Sequence, residues 1–458
     1  MRGKSTWSYR PYRPFLTEVG EVYICRLVPR ENGIRVEWLP LDGGEYSVYL
    51  RLRGEDEFSH VGDTPECAYE ITDLVTDTDY ELYVAQGEKK SRVRLARCGK
   101  IEGSVVNYLH PEDDAYLFSG RYLASPSLVR HPEGYLLASM DVFAGSHPQN
   151  FSLIFRSDDD GENWYYVSEL MPCFWGKLFV HKGELYMLSV ATEYGDLLIG
   201  KSTDGGKTFS APVTLLRGSN GKAANSGVHK NPQPVFYHKG RIYETLEWGA
   251  WANREGYCHA AMVMSCDENA DLLIPENWSF SEPVKFSAFT PEIADLPADT
   301  MMIEGTLTRS PEGELLNIMR FGKYHTAIVF RVNTEDHEAP LIFSRLMDFS
   351  ANYTKFMIKF DDVSGYYYTV GTRVYDPEHA YARNLLSLMR SRDLVSWEIV
   401  SDVLDYRDKD FQRIGFQYAD FSIEGEDILF LLRTAMNGAA NYHDSNAITF
   451  HRIKNFRG

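Results

Sequence analysis

Ser157-Asp158-Asp159-Asp160-Gly161-Glu162-Asn163-Trp164 reads Ser-x-Asp-x-Gly-x-x-Trp, and Ser202-Thr203-Asp204-Gly205-Gly206-Lys207-Thr208-Phe209 repeats it with phenylalanine in the last place. Each is the pattern of a hairpin turn in which the carboxylate accepts backbone N–H groups, glycine takes a positive φ and the aromatic ring packs beneath. Such a unit is a folding device, not a catalytic one. A shortened copy stands at Ser391-Arg392-Asp393-Leu394-Val395-Ser396-Trp397, and an interrupted one runs from Ser265 and Asp267 to Trp278.

Between these turns the chain repeats strand, glycine turn, strand: His131-Pro132-Glu133-Gly134-Tyr135-Leu136-Leu137, His181-Lys182-Gly183-Glu184-Leu185-Tyr186, His238-Lys239-Gly240-Arg241-Ile242-Tyr243 and Ser310-Pro311-Glu312-Gly313-Glu314-Leu315-Leu316. The spacing, on the order of 50 residues with one longer gap, is that of propeller blades. The turn motifs resemble the Asp boxes of sialidases, and that resemblance implies a propeller. The expected fold class is therefore all-β, a six-bladed sialidase-like β-propeller preceded by a small β-sandwich.

The sandwich is read from the alternating Ile34-Arg35-Val36-Glu37-Trp38 and Tyr46-Ser47-Val48-Tyr49-Leu50, which place Trp38 in a core. The run from Leu74 to Val84 is a turn-rich corner followed by a strand with Tyr80 at its start, as in a tyrosine corner. This stretch resembles a fibronectin type III domain. The expected organisation is an N-terminal segment 1–18, the sandwich over 19–112 and the propeller over 113–458.

The 458-residue chain is too long for one core. Its 47 Lys plus Arg against 65 Asp plus Glu give a net charge of −18, the wrong sign for a non-specific polyanion binder, so no nucleic-acid partner is expected. A few arginines in one concave site still allow a small acidic ligand. The start, Met1-Arg2-Gly3-Lys4-Ser5-Thr6-Trp7, lacks the apolar region of a secretion signal and no run is long enough to span a membrane, so a cytoplasmic protein without a membrane partner is expected. The six cysteines, Cys25, Cys67, Cys98, Cys173, Cys258 and Cys266, form no metal or disulfide pattern and are read as free structural thiols. No cofactor and no metal are expected, and oligomeric state is not read from the sequence.

Sialidases supply from their innermost strands three arginines for the substrate carboxylate, a tyrosine nucleophile and its glutamate partner, with an aspartate acid/base on an early loop. Ile303-Glu304-Gly305-Thr306-Leu307, followed by Asn317-Ile318-Met319-Arg320, resembles the hairpin carrying that glutamate and one arginine. Glu304 and Arg320 are the strongest pair. Gly371-Thr372-Arg373 and Gly415-Phe416-Gln417-Tyr418 stand, by order alone, where the last arginine and the tyrosine belong. Two departures count against ordinary sialidase chemistry: Leu123-Ala124-Ser125-Pro126 has no arginine where sialidases carry Arg-Ile-Pro, and Phe143-Ala144-Gly145-Ser146-His147 shows no loop aspartate.

Hydrolysis of a glycosidic bond usually needs two carboxyl groups, and Glu304, Asp141, Glu193 and Glu247 are the candidates. His229 and Tyr418 complete the catalytic set. Arg320, Arg373, Arg433, Lys230, Gln417 and His443 are read as substrate-binding, with Trp175 and Trp248 as sugar platforms. Each also has an ordinary reading: carboxylates on solvated turns, histidines in hydrogen bonds, arginines tying blades together, tryptophans in the core. The chain is similar over nearly its full length to bacterial sialidase-like proteins, most distinctively in Gly415-Phe416-Gln417-Tyr418 and the tail Phe450-His451-Arg452-Ile453. The expectation is an exo-acting glycoside hydrolase releasing a terminal sugar, neutral or acidic, from an oligosaccharide as its carbohydrate substrate. The alternatives are a lyase acting on a uronate, in which His229 or Tyr418 removes a proton, and a non-catalytic carbohydrate-binding propeller.

Overall fold

Alternation in the sequence becomes alternation in burial: along Gly33–Trp38 and Tyr46–Leu52 every second side chain enters one core. The computed structural model describes residues 21–41, 43–219, 225–251, 259–285, 302–322 and 325–458. The expected N-terminal segment 1–18 and Cys258 lie outside them. Two sheets open the chain. One joins Ile24–Arg30, Gly33–Trp38 and Ala68–Ile71; the other joins Ser59–Thr64, Tyr46–Leu52 and Asp79–Gln86, with Lys89–Lys90 and Arg94–Arg97 along the last of these. Between them lies a core that includes Trp38, Tyr46, Val48 and Leu82. The Tyr80 hydroxyl accepts the Val75 N–H at 3.0 Å, closing the corner that precedes its strand.

Six antiparallel sheets follow among the described residues, numbered here in chain order. Sheet 1 runs from Tyr122–Arg130 through Tyr165–Leu170, sheet 2 from Phe174–His181 through Val213–Leu216, and sheet 3 from Gly227–His229 through Trp278–Phe280. Sheet 4 runs from Met302–Arg309 through Ile342–Asp348, sheet 5 from Lys359–Asp361 through Glu398–Asp405, and sheet 6 begins with Gly415–Glu424. Each consecutive pair shares an apolar layer, because the two faces of one strand serve two neighbours. In Leu315–Phe321, for example, Leu315 and Met319 pack toward sheet 3, whereas Leu316 and Ile318 pack toward sheet 5. Leu429 and Leu431 of sheet 6 pack with Leu136 and Met140 of sheet 1, which closes the ring. The fold is a β-propeller.

Closure also uses the strand Ser104–Tyr108, which pairs with Ala447–Ile453 as the outer strand of sheet 6. That strand falls inside 19–112, the range expected for the sandwich. The difference has a physical reason: an edge left unpaired at one end of the chain is completed by a segment from the other. The sandwich is fixed to the ring by buried polar contacts. Arg26 donates to the Val105 and Val106 carbonyls at 2.7 and 2.8 Å, and Arg94 meets Asp113 at 2.7 Å.

The serine-aspartate turns sit at one repeated place, the link between the third and fourth strands of sheets 1, 2, 3 and 5. In the first, Ser157 Oγ accepts the Gly161 N–H at 2.8 Å and Asp159 accepts the Asn163 N–H at 2.9 Å. Trp164 then packs into the layer between sheets 1 and 6. The second turn repeats these contacts with Gly206 and Thr208, and Phe209 packs between sheets 1 and 2. Cys25, Cys98, Cys173 and Cys266 are free and buried, and Cys67 is free and half-buried. No helix of the described residues is long and apolar enough to cross a membrane.

Candidate active site

The innermost strands carry the decisive irregularity. Pairing with the second strand slips between Ala124 and Ser127, between Phe174 and Lys177, between Ile303 and Gly305, and between Gln417 and Asp420. At each slip one residue takes a left-handed backbone: Ser125 (φ 52°), Trp175 (φ 49°), Glu304 (φ 57°) and Tyr418 (φ 59°). A β-bulge of this kind re-aims a side chain, and a non-glycine residue held there costs on the order of 1–3 kcal/mol. All four line one cavity of about 660 Å³. Four bulges in four sheets thus turn strand residues into site residues.

Tyr418 Oη donates to Glu304 Oε1 at 2.5 Å, and Arg320 donates to Glu304 Oε2 at 2.8 Å. Register explains the second contact, since Ile303 lies opposite Arg320 in the hairpin. Burial opposes ionisation of Glu304, but Arg320 and the Tyr418 hydrogen bond outweigh it and hold the carboxyl below its usual range. The Tyr418 phenol is pushed up to about 12, by burial first and then by the Glu304 carboxylate, against the pull of Arg320, Arg433 and Arg383. The pair is therefore a phenol with an ionised base already bonded to it.

Arg383 and Arg433 also line the cavity, at 5% and 4% exposure. Arg383 donates to Gln417 Oε1, and Arg433 donates to the His443 carbonyl while its guanidinium lies 4.4 Å over the Phe143 ring and 5.3 Å from that of Tyr418. The Nε of each is buried without a hydrogen-bond partner, and among the described residues neither forms an ion pair. Burial, aided by neighbouring arginines, holds Arg383 down to about 10. A buried guanidinium without a counter-charge is costly, and an anion in the cavity relieves it.

A second dyad stands on sheet 3, where His229 Nδ1 meets Glu247 Oε2 at 2.6 Å. The other Glu247 oxygen accepts the Gly305 N–H at 3.2 Å, next to Glu304. His229 lines the cavity with Trp175, Tyr194 and Trp251. Glu193 lines it too, accepting from Gln149 at 2.8 Å, as do His443 and Asp444, bonded to each other at 2.8 Å.

Six sequence-predicted residues occupy other positions. Arg373 does not line the cavity, because its guanidinium is committed to Asp402 at 2.9 Å and to Ser387. Lys230 is fully buried away from the lining, 3.6 Å from Glu244. Gln417 is buried and orients Arg383. Trp248 packs in the layer between sheets 2 and 3. Asp141 lies behind the wall: it accepts from Ser152 at 2.5 Å and from the Trp175 N–H at 2.7 Å, and so supports the Trp175 bulge. Burial pushes its carboxyl up to about 7 despite those hydrogen bonds. Glu247 does not line the cavity and reaches it through His229 and through the Gly305 N–H beside Glu304. Arg383, Tyr194 and Trp251 are lining residues that sequence reasoning did not single out. Arg383 comes from a loop whose path is set by its bridge to Gly415, and no motif marks it. No group of three or more His, Cys, Asp or Glu side chains among the described residues is arranged to hold a metal ion.

No protein-family model and no curated protein matches the sequence. Solved structures do. A Hadza microbial sialidase superposes with a TM-score of 0.52 at 13% identity, covering 97% of this chain and 98% of that one. A leech intramolecular trans-sialidase gives 0.51 at 10% identity, covering 98% of this chain and 92% of that one. The fold is a sialidase-like β-propeller. An α-L-arabinofuranosidase of Fusarium graminearum, in complex with an iminosugar inhibitor, gives 0.52 at 12% identity over 77% of this chain and 97% of its own. At these identities the likeness is one of architecture, and function rests on the site itself.

Proposed function

We propose that this propeller is an exo-acting glycoside hydrolase that releases a terminal sugar bearing a carboxylate. The observation that carries this reading is the pair of buried, cavity-lining guanidiniums, Arg383 and Arg433, which have no ion-pair partner among the described residues. A carboxylate lying between them gains charge-assisted hydrogen bonds in a site of low dielectric. In a 2-ulosonic acid the anomeric carbon itself bears the carboxylate, so a carboxylate bound there brings that carbon toward the phenol that Arg433 flanks. Tyr418 then acts as nucleophile, with Glu304 taking its proton. A neutral phenol approaches a sugar already carrying a negative charge with less repulsion than a carboxylate nucleophile.

Tyr418→Phe removes the attacking oxygen and keeps the ring. Its expected turnover falls by at least roughly 1,000-fold, with ligand binding retained. The test pairs 4-nitrophenyl glycosides of uronic and 2-ulosonic acids with their methyl esters. Hydrolysis of the acids and a tenfold or greater loss with the neutral esters supports the reading; equal rates for both overturn it. Monitoring ultraviolet absorbance in parallel detects a conjugated unsaturated product, which would instead make the enzyme a lyase. Binding of the free acids with neither product would make the propeller a carbohydrate-binding module.

A further inference from the structure

We infer that His229, held by Glu247, is the acid/base that serves the leaving group, taking the role for which the sequence offers no loop aspartate. This rests on the hydrolase reading above. The imidazole is oriented by one short contact: a carboxylate only accepts, so Nδ1 carries the hydrogen bonded to Glu247 and Nε2 is the nitrogen left to exchange protons. No described residue takes Nε2. Both side chains of the pair are nearly inaccessible, at 4% and 0%, so the ring is held rather than mobile.

Position matches role. Glu247 spans from the imidazole to the Gly305 N–H, so the dyad is anchored to the residue that follows Glu304. The charged wall comes from sheets 4, 5 and 6, through Arg320, Arg383 and Arg433, whereas His229 stands on sheet 3, the neighbour of sheet 4 and outside that wall. Around it the surface is aromatic: Trp175 at 4.4 Å between ring centroids, Tyr194 at 5.9 Å and Trp251 at 6.4 Å. Flat apolar walls suit the face of a second sugar, the leaving group, and the carboxylate-bearing sugar takes the arginine side.

The proton accounting closes with these groups alone. In the first step the glycosidic C–O bond breaks with its electron pair on the leaving oxygen, which takes the proton from His229 Nε2. Tyr418 Oη bonds to the anomeric carbon and its proton passes to Glu304. Water then attacks that carbon and gives a proton to His229 Nε2, while Tyr418 Oη departs with the bonding pair and recovers its proton from Glu304. The sum is glycoside plus water giving two alcohols, with every residue returned to its starting state.

The experiment is presteady-state turnover of His229→Ala with a 4-nitrophenyl glycoside of an acidic sugar and with an unactivated oligosaccharide ending in the same sugar. Nitrophenol leaves without an acid, so the variant should give a burst equal to the enzyme concentration and then stall, with a glycosyl adduct on Tyr418 by mass spectrometry. Azide, which needs no base, should restore steady-state release as a glycosyl azide. The oligosaccharide should lose roughly 100-fold or more. His229→Gln repeats the test with a bulkier side chain should the alanine variant not fold. Equal losses on both substrates, with no burst and no azide rescue, overturn the assignment while leaving the hydrolase reading intact. A wild-type protein that releases nitrophenol from no acidic glycoside overturns both.

Discussion

Arg383 is a residue whose value depends on what it lacks. With one hydrogen bond to Gln417 and no carboxylate partner among the described residues, its guanidinium is free to meet a ligand anion. Arg383→Ala is expected to raise KM for an acidic glycoside at least roughly tenfold while changing the methyl ester little, a loss of about 1.4 kcal/mol or more in steady-state assays. Asp141 is informative in the opposite way, as a buried acid behind the wall. Its carboxyl is pushed up to about 7, above its ordinary range, so on raising the pH from about 4 to about 7 the unfolded chain loses this proton first. That group's contribution to stability therefore falls across the window, by up to about 1.4 kcal/mol per pH unit. Asp141→Asn should flatten the slope in denaturant titrations run between those limits. Glu304 and Arg320 were legible as a pair through the resemblance of their hairpin to that of sialidases, and the register that sets Ile303 opposite Arg320 brings them together. Arg383 was not, since a loop reaches the cavity by its tertiary path.

At the scale of the element, the inner-strand bulge is the unit that makes the site. The residue after the Glu304 bulge must be small, because the Asn317 and Thr245 side chains close on it. At Gly305 an added Cβ would lie 2.2 Å from Asn317 Oδ1 and 2.5 Å from Thr245 Oγ1. Gly305→Ala is expected to cost about 1–3 kcal/mol and to displace both Glu304 and the N–H that Glu247 accepts, so thermal stability and turnover should fall together. The outer turns behave differently. Their Ser-x-Asp pattern was readable because every partner lies within a few residues, as Ser157, Asp159 and Gly161 show. No comparable local pattern marks Ser125, Trp175 or Tyr418 as left-handed, for these conformations are imposed by pairing with the second strand and by packing around the axis.

Across the whole molecule, the ring is closed by a strand that precedes it. A chain beginning at residue 113 lacks Ser104–Tyr108 and leaves the edge of Ala447–Ile453 unpaired. It is expected to melt at lower temperature and to self-associate in size-exclusion chromatography, whereas a chain beginning at residue 103 keeps the strand and should stay closer to the parent. The latter still loses Arg94, leaving Asp113 buried without its cation; breaking such a pair costs on the order of 3–5 kcal/mol, so partial destabilisation is expected. The sequence by itself determined the all-β class, the repeated hairpins and the placement of Trp38 in a core, because turns and alternation are short-range properties, and it offered the Glu304–Arg320 pair through its resemblance to the sialidase hairpin. Only the tertiary structure decided which polar residues meet. Ring closure brings Tyr418 of sheet 6 onto Glu304 of sheet 4, delivers Arg383 from a loop, commits Arg373 to Asp402 and buries Lys230. The physical reason is that a propeller builds its site from strand ends far apart in sequence, where position depends on the packing of all the sheets around one axis.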